Sequence, residues 1–191
     1  MQKTICVFCS SSSAVDEVYF EAARALGRAI AEQGWGLVYG GSDVGLMGAV
    51  ARAVHLHKGT VVGIIPQTIH ARGIAYETAD ELLITKDLRE RKAEMERRAD
   101  AFIALPGGFG TLEEIVEVLT LKQLQTHAKP ILFLNTNGFY DPLMTLFEHY
   151  YQQQFAKPDS RALYYVAADV SSAVEYIATY QPPVIQSKWF G

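Results

Sequence analysis

Ala101-Phe102-Ile103-Ala104-Leu105-Pro106-Gly107-Gly108-Phe109-Gly110-Thr111-Leu112-Glu113-Glu114 is the segment on which the architecture turns. It opens with an apolar run of the kind found in strands covered on both faces of a parallel sheet. Glycines follow, which let the backbone take positive φ and come close to a ligand. Residues 111–124 then carry a helical pattern. A helix entered from such a turn points unpaired N–H groups and its positive dipole end back at the loop. The segment therefore predicts a strand, a phosphate-sized turn and a helix.

The same alternation extends outward in both directions. Apolar runs at Thr4–Phe8, Gly36–Tyr39, Thr60–Ile65 and Pro130–Leu134 join Ala101–Ala104 as predicted strands, with Tyr164–Val166 a candidate sixth. Helical patterns cover 16–33, 44–57, 88–98, 140–154 and 170–179, and Asp141-Pro142 is a good helix start. Alternating β and α elements imply an α/β fold, a doubly wound parallel sheet with helices on both faces. Ligands bind such sheets beyond the carboxyl ends of the strands. Residues 66–87 are the least regular and suit a loop over a pocket; the tail from Gln181-Pro182-Pro183 is expected to pack extended on the surface.

At 191 residues a single domain over 1–191 is expected. A net charge of -4 argues against a broad nucleic-acid or acidic-membrane surface, though not against one local phosphate pocket. No run reaches the roughly 20 apolar residues of a membrane span, and Met1-Gln2-Lys3-Thr4 has no signal-peptide layout, so a cytoplasmic location is expected. Cys6-Val7-Phe8-Cys9 has redox or zinc spacing, but residues three apart on a strand point to opposite faces. Two buried structural thiols are the better reading. The histidines show no metal-ligand spacing: His55 and His57 are two apart on a predicted helix, and His70, His127 and His149 stand singly. Neither a metal nor a tightly bound cofactor is expected.

Two other strand ends carry small residues, Cys9-Ser10-Ser11-Ser12-Ser13 and Gly40-Gly41-Ser42. Each alone could be a tight turn, and Ser10–Ser13 could equally cap a helix. None fits a P-loop, which needs Gly-Lys followed by Ser or Thr, and the first turn lacks the dinucleotide fingerprint.

Pro106-Gly107-Gly108-x-Gly110-Thr111-x-x-Glu114 resembles the signature of the LOG ("lonely guy") family of cytokinin-activating phosphoribohydrolases. Gly40-Gly41-x-x-x-Gly45-Leu46-Met47-Gly48, Glu90-Arg91-Lys92-Ala93-x-Met95 and Asp100–Leu105 extend the likeness from about Cys6 to Tyr151. The resemblance implies a Rossmann-like nucleotide-binding catalytic domain. It implies hydrolysis of the N-glycosidic bond of a nucleoside 5′-monophosphate, with N6-substituted AMP the first candidate and a homodimer as the working form. A broader AMP or nucleotide nucleosidase and a non-catalytic nucleotide carrier are the alternatives. Relatives often bear a lysine decarboxylase label, but nothing here resembles a pyridoxal-phosphate lysine site.

By resemblance, Glu114 and Arg91 take the catalytic positions. Gly107, Gly108, Phe109, Gly110 and Thr111 form the phosphate loop, while Gly41, Gly45, Met47, Lys92, Glu113 and Thr120 are further substrate-binding candidates. Local pattern offers plainer roles. Thr111-x-x-Glu114 is also a capping box, and Glu113 suits the dipole of a first turn. Arg91 lies in a charged segment that could be a solvated helix, where Glu94 would pair with Arg97 or Arg98. Met47 suits a core as well as a base pocket. Ile115, Val118, Leu119 and Leu124 suit either the core or a dimer contact. Three positions depart from the family pattern: Ser10 for glycine, Gly73 for the acidic residue that follows an arginine, here Arg72, and Leu121 for tryptophan.

Overall fold

The computed structural model describes residues 3–184. The elements run β1 (Thr4–Phe8), α1 (Glu17–Glu32), β2 (Gly36–Tyr39), α2 (Gly45–Leu56), β3 (Thr60–Pro66), α3 (Gln67–His70) and β4 (Glu81–Thr85). They continue α4 (Leu88–Arg98), β5 (Ala101–Ala104), α5 (Phe109–Gln123), β6 (Ile131–Leu134), α6 (Asp141–Gln152), β7 (Tyr165–Ala167) and α7 (Val170–Thr179). Among the described residues the strands form one sheet in the order β4-β3-β2-β1-β5-β6-β7, every pairing parallel. The chain winds outward from β1 to β4, returns to pair β5 with β1, then winds outward the other way. The order therefore reverses between β1 and β5, where a doubly wound sheet opens a crevice.

Strand alternation sends the two faces into two cores. Ile5, Val7, Leu37, Tyr39, Ile103 and Leu132 pack with α1, α2 and α7. Cys6, Phe8, Val38, Phe102, Ile131 and Phe133 pack with α4, α5 and α6. Cys6 and Cys9 fall in different cores, and both are buried free thiols whose pKa burial pushes up. That agrees with the strand reading of their spacing.

Residues 66–87, expected to be irregular, hold α3 and the edge strand β4. Glu81-Leu82-Leu83-Ile84-Thr85 hides its strand character because it pairs only with β3 and leaves Ile84 exposed. Arg98 secures this edge with two 2.7 Å hydrogen bonds to the Glu81 carboxylate. Residues 181–184 have no regular structure, and the rest of the tail expectation lies outside the described residues.

One buried charge was not anticipated. Lys122, near the end of α5, is fully buried; its Nζ donates to the Leu163 carbonyl at 2.9 Å and lies 5.0 Å from the Tyr180 ring centre. Desolvation pulls its pKa down to about 8 from 10.5. The folded chain then binds fewer protons than the unfolded chain between those values, so stability should rise with pH across that window. Lys122→Met is expected to add about 1–2 kcal/mol at neutral pH and to flatten this rise. Urea titrations at pH 7 and pH 10 measure it; a loss of stability at pH 7 would show that the ammonium contributes more than its burial costs.

Candidate active site

A cavity of about 520 Å³ opens at the carboxyl ends of β2, β1 and β5, on the crevice where the strand order reverses. One wall is the start of α5, Gly108–Thr111 with Glu114; Cys9–Ser12 form the middle. The far wall carries Gly40, Ser42, Met47, Pro66, Ile69, Arg72 and Ile74. These segments are stitched together through the backbone. Ser10 N–H donates to Pro106, Leu46 N–H to Ser10, Asp43 N–H to Ile74 and Tyr76 N–H to Gly41. A pocket of this size, part polar and part apolar, fits a nucleotide-sized ligand.

Arg91, in the first turns of α4, meets Glu114 of α5 at the cavity, with Nη2 and Oε1 2.9 Å apart. Both side chains are largely buried, 13% and 10% exposed. Burial raises the Glu114 pKa, opposed by the Arg91 guanidinium and reinforced by Glu113. Arg91 Nε is buried without a hydrogen-bond partner among the described residues. Such an unmet donor suits a ligand oxygen. Gly40 makes room for this arginine: a Cβ there would overlap the guanidinium and crowd Met47 Sδ at 3.0 Å. Its lack of a side chain thus serves the Arg91 slot.

The capping-box reading of Thr111 and Glu114 does not hold. Gly108 is the N-cap, with no side-chain capping bond, so α5 begins two residues earlier than its pattern suggests. Thr111 packs against Gly107 so closely that no Cβ would fit there. Glu114 is thereby carried into the second turn, facing Arg91 rather than the Thr111 amide. The amides of Phe109, Gly110 and Thr111 precede the first helical hydrogen bond, Leu112 N–H to Gly108, and are free to bind an anion. Phe109 itself is 93% exposed.

Ser10–Ser13 likewise cap no helix, since the N-cap of α1 is Asp16. Ser10 Oγ instead accepts from Ser12 N–H in a local turn at the cavity floor. Gly41 (φ 74) and Gly45 (φ 56) shape the second loop through the backbone. At Gly45 a Cβ would lie 2.5 Å from the Ser11 backbone, so the glycine lets α2 start against the first loop. Met47 lines the cavity.

Six predicted residues are not among those that line this cavity: Gly41, Gly45 and Gly107, which belong to its loops, and Lys92, Glu113 and Thr120. Lys92 is held by Glu113 and, at 2.7 Å, by Glu117, outside its lining. Glu113 is the other half of that clamp. Thr120 donates to the Val116 carbonyl at 2.8 Å and borders an apolar groove between α5 and α6. Arg97 and Arg98, read as surface residues, both pair with Glu94. The lining residues missed are Pro66, Ile69, Arg72 and Ile74 of the segment read as irregular. Their segment carried the signal of a loop over a pocket, and among them Arg72 alone stood out individually, as part of a motif departure. Among the described residues no group of three or more His, Cys, Asp or Glu is arranged to hold a metal.

A family model described as "Possible lysine decarboxylase" matches residues 47–177. Cytokinin riboside 5′-monophosphate phosphoribohydrolase LOG5 of Arabidopsis thaliana is 42% identical over 191 residues, covering 98% of this chain and 84% of that protein. The Arabidopsis thaliana LOG7 phosphoribohydrolase is 46% identical over 180 residues, covering 94% and 83%. The chain belongs to the LOG family. Its LOG fold also resembles the molybdenum cofactor binding protein of Rippkaea orientalis, with a TM-score of 0.72 over 94% and 97% of the two chains. At 22% identity that is a likeness of fold alone. The segments that precede the family match, Cys9–Ser12 and Gly40–Gly45, still build the floor and second loop of this LOG-family cavity.

Proposed function

We propose that the chain hydrolyses the N-glycosidic bond of a nucleoside 5′-monophosphate, N6-substituted AMP of the cytokinin class first, to free base and ribose 5-phosphate. The buried Arg91–Glu114 pair beside the free amides of α5 is the observation that carries this reading. The 5′-phosphate binds at Gly108–Thr111, where the unpaired amides and the helix dipole favour an anion. Ribose then lies against Glu114. As the bond breaks the sugar gains positive charge, which the carboxylate stabilises while it orients a water and accepts its proton. Arg91 holds the carboxylate in place and offers its remaining donors to phosphate or ribose oxygens. The base rests on the apolar wall of Met47, Pro66, Ile69 and Ile74.

Lysine decarboxylation finds no support here. A pyridoxal cofactor is held through a lysine, and no lysine lines the cavity. The test is incubation with AMP, isopentenyl-AMP and the matching nucleosides, followed by measurement of base and ribose 5-phosphate. Release from isopentenyl-AMP above AMP is the expected result. Release from AMP alone would replace the cytokinin assignment with a general nucleotide nucleosidase. Binding without release would make the chain a carrier.

The working form proposed is a cytoplasmic homodimer acting on a small molecule and not on nucleic acid. Support comes from the net charge of -4 and from the groove between α5 and α6, where Phe109, Leu112, Leu146 and Tyr150 expose apolar surface. Apolar patches of this kind mark contact surfaces. Among the described residues no helix is long and apolar enough to cross a membrane. Leu146→Glu is expected to shift the mass measured by light scattering from two chains to one; an unchanged mass would move the interface elsewhere.

A further inference from the structure

Glu114 borders two cavities. Besides the front cavity it lines a cleft of about 260 Å³ between α4 and α5, on the other side of the Arg91–Glu114 pair. Helical spacing builds this cleft. Arg89, Lys92, Ala93 and Glu96 form one stripe of α4, and Glu114, Glu117 and Val118 form the facing stripe of α5. Lys92 ties α4 to α5 beside this cleft through Glu113 and Glu117. Its walls are mostly charged, so the cleft is one that water wets.

We propose that the α4/α5 cleft is the rear channel through which Glu114 draws the attacking water and returns its proton to solvent. This rests on the hydrolase reading above. A nucleotide seated between Gly108–Thr111 and the Met47–Ile74 wall covers the front face of Glu114, while the rear face stays open to the cleft. The water oxygen bonds to the ribose anomeric carbon as the carbon–nitrogen bond breaks. That bond's electron pair leaves with the base, whose nitrogen takes a proton from solvent. Glu114 takes the water's proton and passes it along the cleft, so one water is consumed and no net proton is made or lost. The raised pKa of Glu114 strengthens it as the acceptor. The α5/α6 groove of the proposed dimer shares Glu117 with the cleft and otherwise lies on another face of α5.

Filling the cleft from either wall tests the proposal. Ala93→Leu keeps a good helix former, Val118→Met puts a longer, flexible apolar side chain in place of a stiff β-branched one, and Ala93→Ser is the small control. Both larger variants are expected to lower kcat about tenfold or more, with KM and ribose 5-phosphate affinity unchanged, while Ala93→Ser retains wild-type rates. Unchanged kcat in the folded Leu and Met variants would mean that water arrives from the front, and the proposal fails. Parallel loss of kcat and product affinity would reduce the cleft to packing around the ion pair, which also overturns it. If the wild-type chain releases no base from any nucleotide, the hydrolase reading falls first and takes this one with it.

Discussion

Glu114→Gln is expected to lower kcat by roughly 10²–10³-fold or more while nucleotide binding and the folded state persist. The amide has the shape of the carboxylate, and its oxygen can still accept from Arg91, whose Nη2 lies 2.9 Å from Oε1. What it loses is chemical. It has no negative charge to set against an oxocarbenium-like ribose, and it cannot take a proton from water. A capping glutamate would behave differently, since glutamine caps nearly as well. The structure already argues against that role, because the N-cap of α5 is Gly108 and Glu114 turns toward α4. Single-turnover release of base, beside calorimetric binding of AMP, separates the two losses. Activity within a few-fold of wild type would remove Glu114 from the chemistry.

Arg91→Ala should be nearly as damaging, with kcat/KM down about 10²-fold or more. Three effects combine. The ligand loses a cationic fork, Glu114 loses the group that orients it, and its carboxylate loses the charge that opposes desolvation. With the guanidinium gone the Glu114 pKa moves further up, so the acid limb of the pH–rate profile should shift to higher pH. The sign for stability is the reverse. A carboxyl whose folded pKa exceeds its unfolded value binds more protons when folded, so stability falls as pH rises through that window. The variant should show this loss more steeply than the parent chain. Arg91→Lys keeps the charge but not the planar fork, and should recover only part of the rate. An unchanged pH profile in Arg91→Ala would leave Arg91 with a structural role only.

Much of this molecule was legible residue by residue. The bounds of β1, β2 and β5 coincide with their apolar runs, and α4 and α7 with their helical patterns. The Pro106–Thr111 glycine loop also announced itself. Apolar patterning and backbone freedom are local properties that a residue's own neighbours express. By contrast β4 stayed hidden, because an edge strand with an exposed Ile84 lacks the apolar run that marks a central one. The starting point of α5 was misjudged by two residues, and the cap reading of Glu114 followed from that error.

Site roles divide in the same way. That Glu114 and Arg91 belong together came from a resemblance spanning about Cys6 to Tyr151, since in isolation each had a sufficient local explanation. Their meeting depends on the crossovers that set α4 and α5 side by side on one face of the sheet, with β5 next to β1. Charge partners also depended on that packing: Lys92 and Glu113 hold each other beside the cavity, and Lys122 is buried with its charge. A linear pattern records which side chains are charged and which turns are tight. Which charges lose water, and against which partner, is decided only when distant helices close on one another, because desolvation is a property of the packed assembly.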